Sequence, residues 1–291
     1  MPLSATAPAT GWQARLTLGF QRPHARTILG PCAHHGPLRV QRPFYPEGDE
    51  ICHVALLHPP GGVVGGDELR IDVALHPGTR ALVTTPAAGK FYRSAGPRAQ
   101  QIQHLRVAAG TALEWLPQEN IVYSGARVHA STRVELQGDA RFIGWEILCL
   151  GRPAAGERFA NGDYRQDFEL WRDGEPLYLE QSRYPGGDAI LDAGWGLRSQ
   201  PVSATLACVG AALDRVDAIR ARWEEFDDPS SLHPSARGEE RATATQLDGV
   251  LVCRYLGPST ARARRFFMLA WSMLRPDVLG RSPCLSRFWN T

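Results

Sequence analysis

The sequence predicts a mainly β protein, with stacked, helically wound strands in the manner of a β-helix and two α-helices near the C-terminus. Three observations predict it. Short stretches alternating apolar and polar residues dominate positions 11–183, which is the period of a half-buried strand. A strand–glycine turn–strand unit recurs within them as DVALHPGTRALVTTP, LRVAAGTALEWLPQE and RVELQGDARFIGWEI. Apolar residues at helical spacing are confined to the last third of the chain, where they mark amphipathic helices.

Taken in order, residues 1–10 (MPLSATAPAT) read as a loose tail and residues 11–291 as one domain. Within that domain, 11–205 form a β-rich scaffold and 206–291 a C-terminal part with two helices and an extended tail. WQARLTLGF, CHVALLH, ELRIDVALH, QIQHLRVAA and TRVELQG are the clearest strands, parted by turns such as PEGD at 46–49 and PGT at 77–79. The repeat glycines Gly78, Gly110 and Gly138 lie about thirty residues apart, a period typical of stacked repeats. Each unit is too small to bury its own face, so the units should stack around a continuous core.

Leu213, Val216, Ile219, Trp223 and Phe226 then predict a helix over LDRVDAIRARWEEF. SSLHPSARGEERATAT is polar and turn-rich and reads as a loop. GVLVCRYLG reads as a buried strand. The last helix should start at Ser259 or Thr260, either of which can cap it, carry the stripe Phe266, Leu269, Ala270 and Met273, and stop before Pro276. The remaining PDVLGRSPCLSRFWNT is expected to be extended.

Composition excludes several classes. With 32 basic and 30 acidic residues the net charge is +2, too small an excess for a nucleic-acid binder. No apolar run approaches the roughly 20 residues of a membrane helix, and the N-terminus lacks the basic and apolar regions of a signal peptide. The expected location is cytoplasmic. The six cysteines are scattered without a C-x-x-C pair, as befits small buried residues in a reducing compartment.

The run GGVVGG contributes Gly61, Gly62, Gly65 and Gly66. It lacks the Gly-Lys-Ser/Thr ending and leads into a strand, so it offers no helix N-terminus to a phosphate. Its glycines are expected to permit tight turns or the close approach of two segments. Cys32, His34 and His35 are soft and imidazole donors, but no second ligand pair accompanies them. Among the carboxylates, Asp67 ends the glycine run, Glu119 ends LEWLPQE, and Glu146 lies between Trp145 and Ile147. An inward Glu146 would have to be paired or face a wet channel; otherwise it stands on the outer face of its strand. Inward carboxylates could hand a divalent ion from site to site. No G-x-S-x-G occurs. The alternative function is a β-helical carbohydrate-active enzyme using two of these carboxylates as a pair. Lys90 is the sole lysine, a candidate for pairing with a carboxylate or touching a partner.

The same segments carry a family resemblance. PLRVQRPFYPEG, HPPGGVVGGD (His58–Asp67), TTPAAGKFYRS (with Lys90, Tyr92 and Arg93), LEWLPQENIVYSGA (with Trp115, Gln118 and Glu119), GWEILCLGRPAAGE (with Glu146 and Arg152) and a C-terminal YLGPST, LRP and FW (with Trp289) follow one another from residue 11 to the end. Together they resemble the UreD (UreH) family of urease accessory proteins. The resemblance implies a non-catalytic partner of UreF, of the GTPase UreG through UreF, and of the urease apoprotein. It further implies delivery of nickel to urease through an internal water-filled path. The chain would then hold no tight cofactor, only transient Ni²⁺, with His58, Asp67, Glu119 and Glu146 near that path.

Overall fold

The computed structural model describes residues 11–226 and 240–290. One sheet has seven strands in the order β14 (Glu175–Pro185), β13 (Asp163–Arg172), β11 (Arg127–Leu136), β8 (Ala99–Val107), β5 (Glu68–Leu75), β1 (Gln13–Gln21) and β2 (Ile28–His35). The other runs β16 (Arg241–Leu247), β17 (Val250–Gly257), β15 (Val202–Val209), β12 (Arg141–Leu150), β9 (Ala112–Leu116), β6 (Arg80–Thr84), β4 (Ile51–Leu57) and β3 (Arg39–Val40). Short strands β7 (Gly89–Phe91) and β10 (Asn120–Val122) close a third side, and β10 pairs in parallel with both β7 and β12. The chain thus winds a β-solenoid of about four turns, as the sequence predicts.

The sequence repeat is the coil of this solenoid. Leu75, Val107 and Leu136 stand in register on β5, β8 and β11. After the turn, Arg80, Ala112 and Arg141 do so on β6, β9 and β12. The turn glycines between them, Gly78, Gly110 and Gly138, have φ of 77°, 71° and 51°, the left-handed region that glycine enters without a Cβ penalty. Aspartates tie neighbouring turns together: Asp139 Oδ1 accepts the Gly110 N–H at 2.7 Å, and Asp173 Oδ1 the Gly138 N–H at 3.0 Å.

Strand β12 shows how the two cores are separated. Phe142, Leu148 and Leu150 point into the solenoid, whereas Ile143, Trp145, Ile147 and Cys149 point outward into a second core. A sheet of parallel strands is stable when both faces are covered. The outer cover is α2 (Thr260–Leu279), with α1 (Arg215–Phe226) beside it. Phe266, Phe267, Trp271 and Leu274 of α2, Trp223 of α1 and Trp289 all join this layer.

A buried ionic network sits between sheet and helix. Arg275 Nε donates to Glu114 Oε1 at 3.0 Å, and Arg275 Nη2 to Glu47 Oε1 at 2.5 Å. Trp271 Nε1 donates to Glu114 Oε1 at 2.6 Å, and His53 Nε2 lies 2.7 Å from Glu47 Oε1. Burial works against the Glu47 charge, but hydrogen bonds from His53 and Arg275 draw its carboxyl down to about 2.

Four local expectations are corrected. Residues 241–245 of the expected loop belong to strand β16, because Ala244 enters the second core and the Ala-Thr alternation supplies one apolar face. Residues 230–239 of that stretch, like the expected tail 1–10, lie outside the described residues. The first helix begins at Arg215, leaving Leu213 exposed before it; Arg215 Nε is held by Asp277 Oδ2 at 2.7 Å. The last helix, capped by Ser259 as expected, runs on through Pro276 to Leu279. An interior proline costs about 3 kcal/mol, whereas burying Val278 and Leu279 returns roughly 1.5–3 kcal/mol each, and Gly280 at φ 67° caps the extra turn. Finally, the tail closes in a 3-10 turn at Arg287–Asn290 whose Phe288 and Trp289 are buried. Trp289 lies edge-on to Trp271 with ring centroids 5.3 Å apart, and its Nε1 donates to Thr84 Oγ1 at 3.0 Å.

Among the described residues no helix is long and apolar enough to cross a membrane.

Candidate functional site

Inside the solenoid the apolar filling gives way to polar residues at one level. Gln101 and Gln103 of β8, Thr132 of β11 and Gln166 of β13 share the inward phase of their strands with Leu105, Val134 and Phe168. Glu146 of β12 meets them from the opposite sheet: Thr132 and Gln166 both hydrogen-bond its carboxyl. Beside this group lies a cavity of about 530 Å³. Its walls include His58, Gly62, Lys90, Gln103, Trp115, Gln118 and Glu146. One wall is therefore the HPPGG loop, another the inner face of β9 and β12, and a third the inner face of β8 and β11.

Among the described residues, Glu146 is the only carboxylate in that lining. Thr132 has one hydroxyl proton, yet it lies within reach of both Glu146 Oε1 and Gln103 Oε1, the latter at 2.8 Å. A protonated Glu146 completes the chain, donating to Thr132, which then donates to Gln103. Burial pushes the Glu146 carboxyl up to about 7; hydrogen bonds from Thr132 and Gln166 oppose the rise and the nearby charge of Glu180 adds to it.

The loop is held by backbone contact that only glycine allows. Val63 N–H donates to the Lys90 carbonyl at 2.7 Å, and Tyr92 N–H to the Val63 carbonyl at 2.8 Å. A Cβ at Gly62 would lie 2.3 Å from Tyr92 Cε2 and 2.8 Å from the Lys90 carbonyl oxygen. Gly66, at φ 95°, makes the turn into β5. Gly62→Ala is expected to cost about 1–3 kcal/mol by overpacking, read as a lower urea midpoint; an unchanged midpoint would show that the loop can shift freely.

The remaining candidates take different places. Asp67 accepts the backbone N–H of Trp12 at 2.8 Å and of Val64 at 3.0 Å, so it pins the glycine loop to the start of β1. Burial lowers the His58 imidazole, and the Asp67 charge resists this. Glu119 points to α2, where it pairs with Arg264 and lies 3.5 Å from Thr260 Oγ1. Asp67, Glu119 and Glu146 therefore do not form a carboxylate pair. Tyr92, Arg93 and Arg152 gather on the third side: Tyr92 meets Tyr123 edge-on with centroids 4.9 Å apart, the Arg152 guanidinium lies 4.7 Å over the Tyr123 ring, and Arg93 packs on Gly125. Glu157 anchors Arg152 at 2.9 Å from its Nε. Gly61 accepts the Tyr92 hydroxyl at 2.9 Å, Gly65 backs onto Ser94, and Trp289 belongs to the second core. Cys32, His34 and His35 lie exposed on edge strand β2. Among the described residues no three His, Cys, Asp or Glu side chains converge as a metal-binding group.

Sequence reasoning missed Gln103, Thr132 and Gln166. Their signal was parity: in QIQHLRV both glutamines share the phase of Leu105 and Val107, which marks them as inward.

Fold and site together define a β-solenoid protein with a partly open, largely apolar cavity between its sheets that is polar at the level of Glu146. The profile of the family described as UreD urease accessory protein matches residues 13–290. A urease accessory protein UreD of Azoarcus sp. (strain BH72) is 47% identical over 285 residues, covering 98% of this chain and 96% of the relative. Those of Pseudomonas fluorescens (strain Pf-5) and Trichormus variabilis are 43% and 41% identical, covering 100% and 98% of this chain and 99% and 98% of the relatives. The chain belongs to the UreD urease accessory protein family, which gives it a role in urease maturation.

Proposed function

We propose that this protein acts in the cytoplasm as a non-catalytic scaffold of urease maturation, joining urease apoprotein to UreF and, through UreF, to UreG, and that Ni²⁺ passes through its interior chamber. The observation that carries the nickel reading is the inward Glu146 among neutral oxygen donors. Nickel accepts carboxylate and imidazole ligands, and a path conducts when binding favours entry without preventing departure. One carboxylate surrounded by amides and a hydroxyl meets that requirement better than a cage of charges, so the ion is transient cargo. His58 stands at the loop wall of the chamber. Asp67 supports the path through the loop it pins, and Glu119 through its hold on α2. The Tyr92–Arg93–Arg152 ridge, with Tyr123, offers a partner the residue types that dominate protein interfaces.

Apo-urease and the other accessory proteins, co-expressed in nickel-supplemented cells with this chain or its variants, test the reading. Urease activity and bound nickel per active site should both fall about tenfold or more for Glu146→Gln and His58→Ala, the range seen when a metal-orienting group is removed. Full activation by both variants, with the chain folded, would sink the nickel path. Retention of UreF and urease on the tagged chain tests the scaffold role separately.

A further inference from the structure

The polar level of the interior does not end at the chamber. Glu146 of β12 stands opposite Thr205 of β15, and Thr205 opposite Arg254 of β17, so the three are neighbours on one inward face. Glu180 of β14 reaches them from the facing sheet. Its Oε1 accepts from Thr205 Oγ1 at 3.4 Å and lies 3.5 Å from Arg254 Nη1. Its Oε2 accepts from the Tyr178 hydroxyl at 2.6 Å, and that hydroxyl accepts from Arg254 Nη2 at 2.9 Å. The Glu180 side chain is 16% exposed, the Arg254 side chain 52%. Arg254 therefore runs from the interior to solvent, with its charged end across the last carboxylate of the row.

We infer that this end is a second mouth of the interior path and that Arg254 is its gate. The inference rests on the nickel-path reading. A guanidinium across the mouth repels a divalent cation and occupies the carboxylate that such a cation needs. Tyr178 is buried and Glu180 largely so, each holding the other by a hydrogen bond, whereas half of Arg254 already lies in water and can swing outward. Opening thus exchanges one partner of Glu180 for another: the guanidinium leaves, and the divalent ion takes the carboxylate with the Thr205 hydroxyl beside it. These are oxygen donors of the kind Ni²⁺ accepts. The two carboxylates, Glu146 and Glu180, then form successive stations of one route.

The test is Ni²⁺ binding to the purified full-length chain, followed by titration calorimetry with NiCl₂ as probe, beside a thermal melt. Arg254→Met should tighten Ni²⁺ binding about tenfold by freeing Glu180, and Arg254→Met combined with Glu180→Gln should return it to the starting value. Arg254→Gln, which keeps a donor to Tyr178, should behave like Arg254→Met and serves if the latter does not fold. A merely structural Arg254 would lower the melting temperature without moving Ni²⁺ affinity, and that result overturns the gate. If Ni²⁺ affinity is unmoved by the Arg254 variants but falls in Glu146→Gln, the gate fails and the path stands. If Glu146→Gln is also without effect, the path fails with it.

Discussion

Arg275→Met is expected to destabilise the protein by about 3–5 kcal/mol, the cost of removing one partner from a buried ion pair. Arg275 and Glu114 are both fully buried, and Arg275 also serves Glu47 and the Ser282 carbonyl. Burial opposes the guanidinium charge, yet the hydrogen bonds to Glu47 and the field of Glu114 raise its affinity for a proton. Taking it away strands Glu114 in the second core with Trp271 Nε1 as its remaining donor. Burial already pushes that carboxyl up against the pull of Arg275, so Glu114 in the variant would take a proton, leaving the Trp271 hydrogen bond as its one tie to α2. The measurement is urea unfolding of the single variant and of Arg275→Met/Glu114→Leu. The double variant should recover part of the loss, because it removes the stranded Glu114 charge, while Glu47 keeps only His53 among the described residues and the Trp271 N–H loses its acceptor. Equal losses in both would mean that packing, not charge, makes Arg275 important.

Glu146→Gln should act in the opposite direction. The folded-state pKa of about 7 lies above the ordinary 4.5, so the folded protein keeps this proton longer than the unfolded chain. The contribution is fully present below the ordinary carboxylate range and is lost as pH rises through about 7. Above that, the wild-type carboxylate costs about 3 kcal/mol. Glutamine can donate to Thr132 and accept from Gln166 at every pH. The stability advantage of the variant should therefore grow by about 3 kcal/mol between pH 4.5 and 8, read from urea midpoints at the two values. An advantage independent of pH would place the Glu146 carboxyl in water.

Glu146 lies on the inner face of one sheet and Arg275 on the helix that covers its outer face, and the two sites are unequally legible in the sequence. Glu146 was visible as a carboxylate in an apolar strand, with inward and outward placements both open. Alternation assigns residues to two faces, but it does not say which face meets the chamber when both are buried. Glu114, one residue before Trp115, carries no mark in the sequence, because its partners Trp271 and Arg275 are distant along the chain. Ion pairs across such separations leave no local spacing to detect. Pro276 shows a second limit. Proline's local rule stops the helix, and only the burial of Val278 and Leu279 outweighs it.

What the sequence alone determined was local and periodic. The period-two strands, the glycine turns at Gly78, Gly110 and Gly138, the two helices and the solenoid they imply follow from backbone sterics and apolar spacing, and the motifs between His58 and Trp289 point to the family. Only the tertiary structure decided which carboxylates face the chamber: Glu146 does, Asp67 is spent on two backbone amides, and Glu119 on Arg264. It likewise set Gln103, Thr132, Gln166 and Glu180 around the same level of the interior. The reason is geometric: strands stacked in parallel bring side chains from separate coils to one level, and the polar contacts made there depend on register and on the phase of each strand.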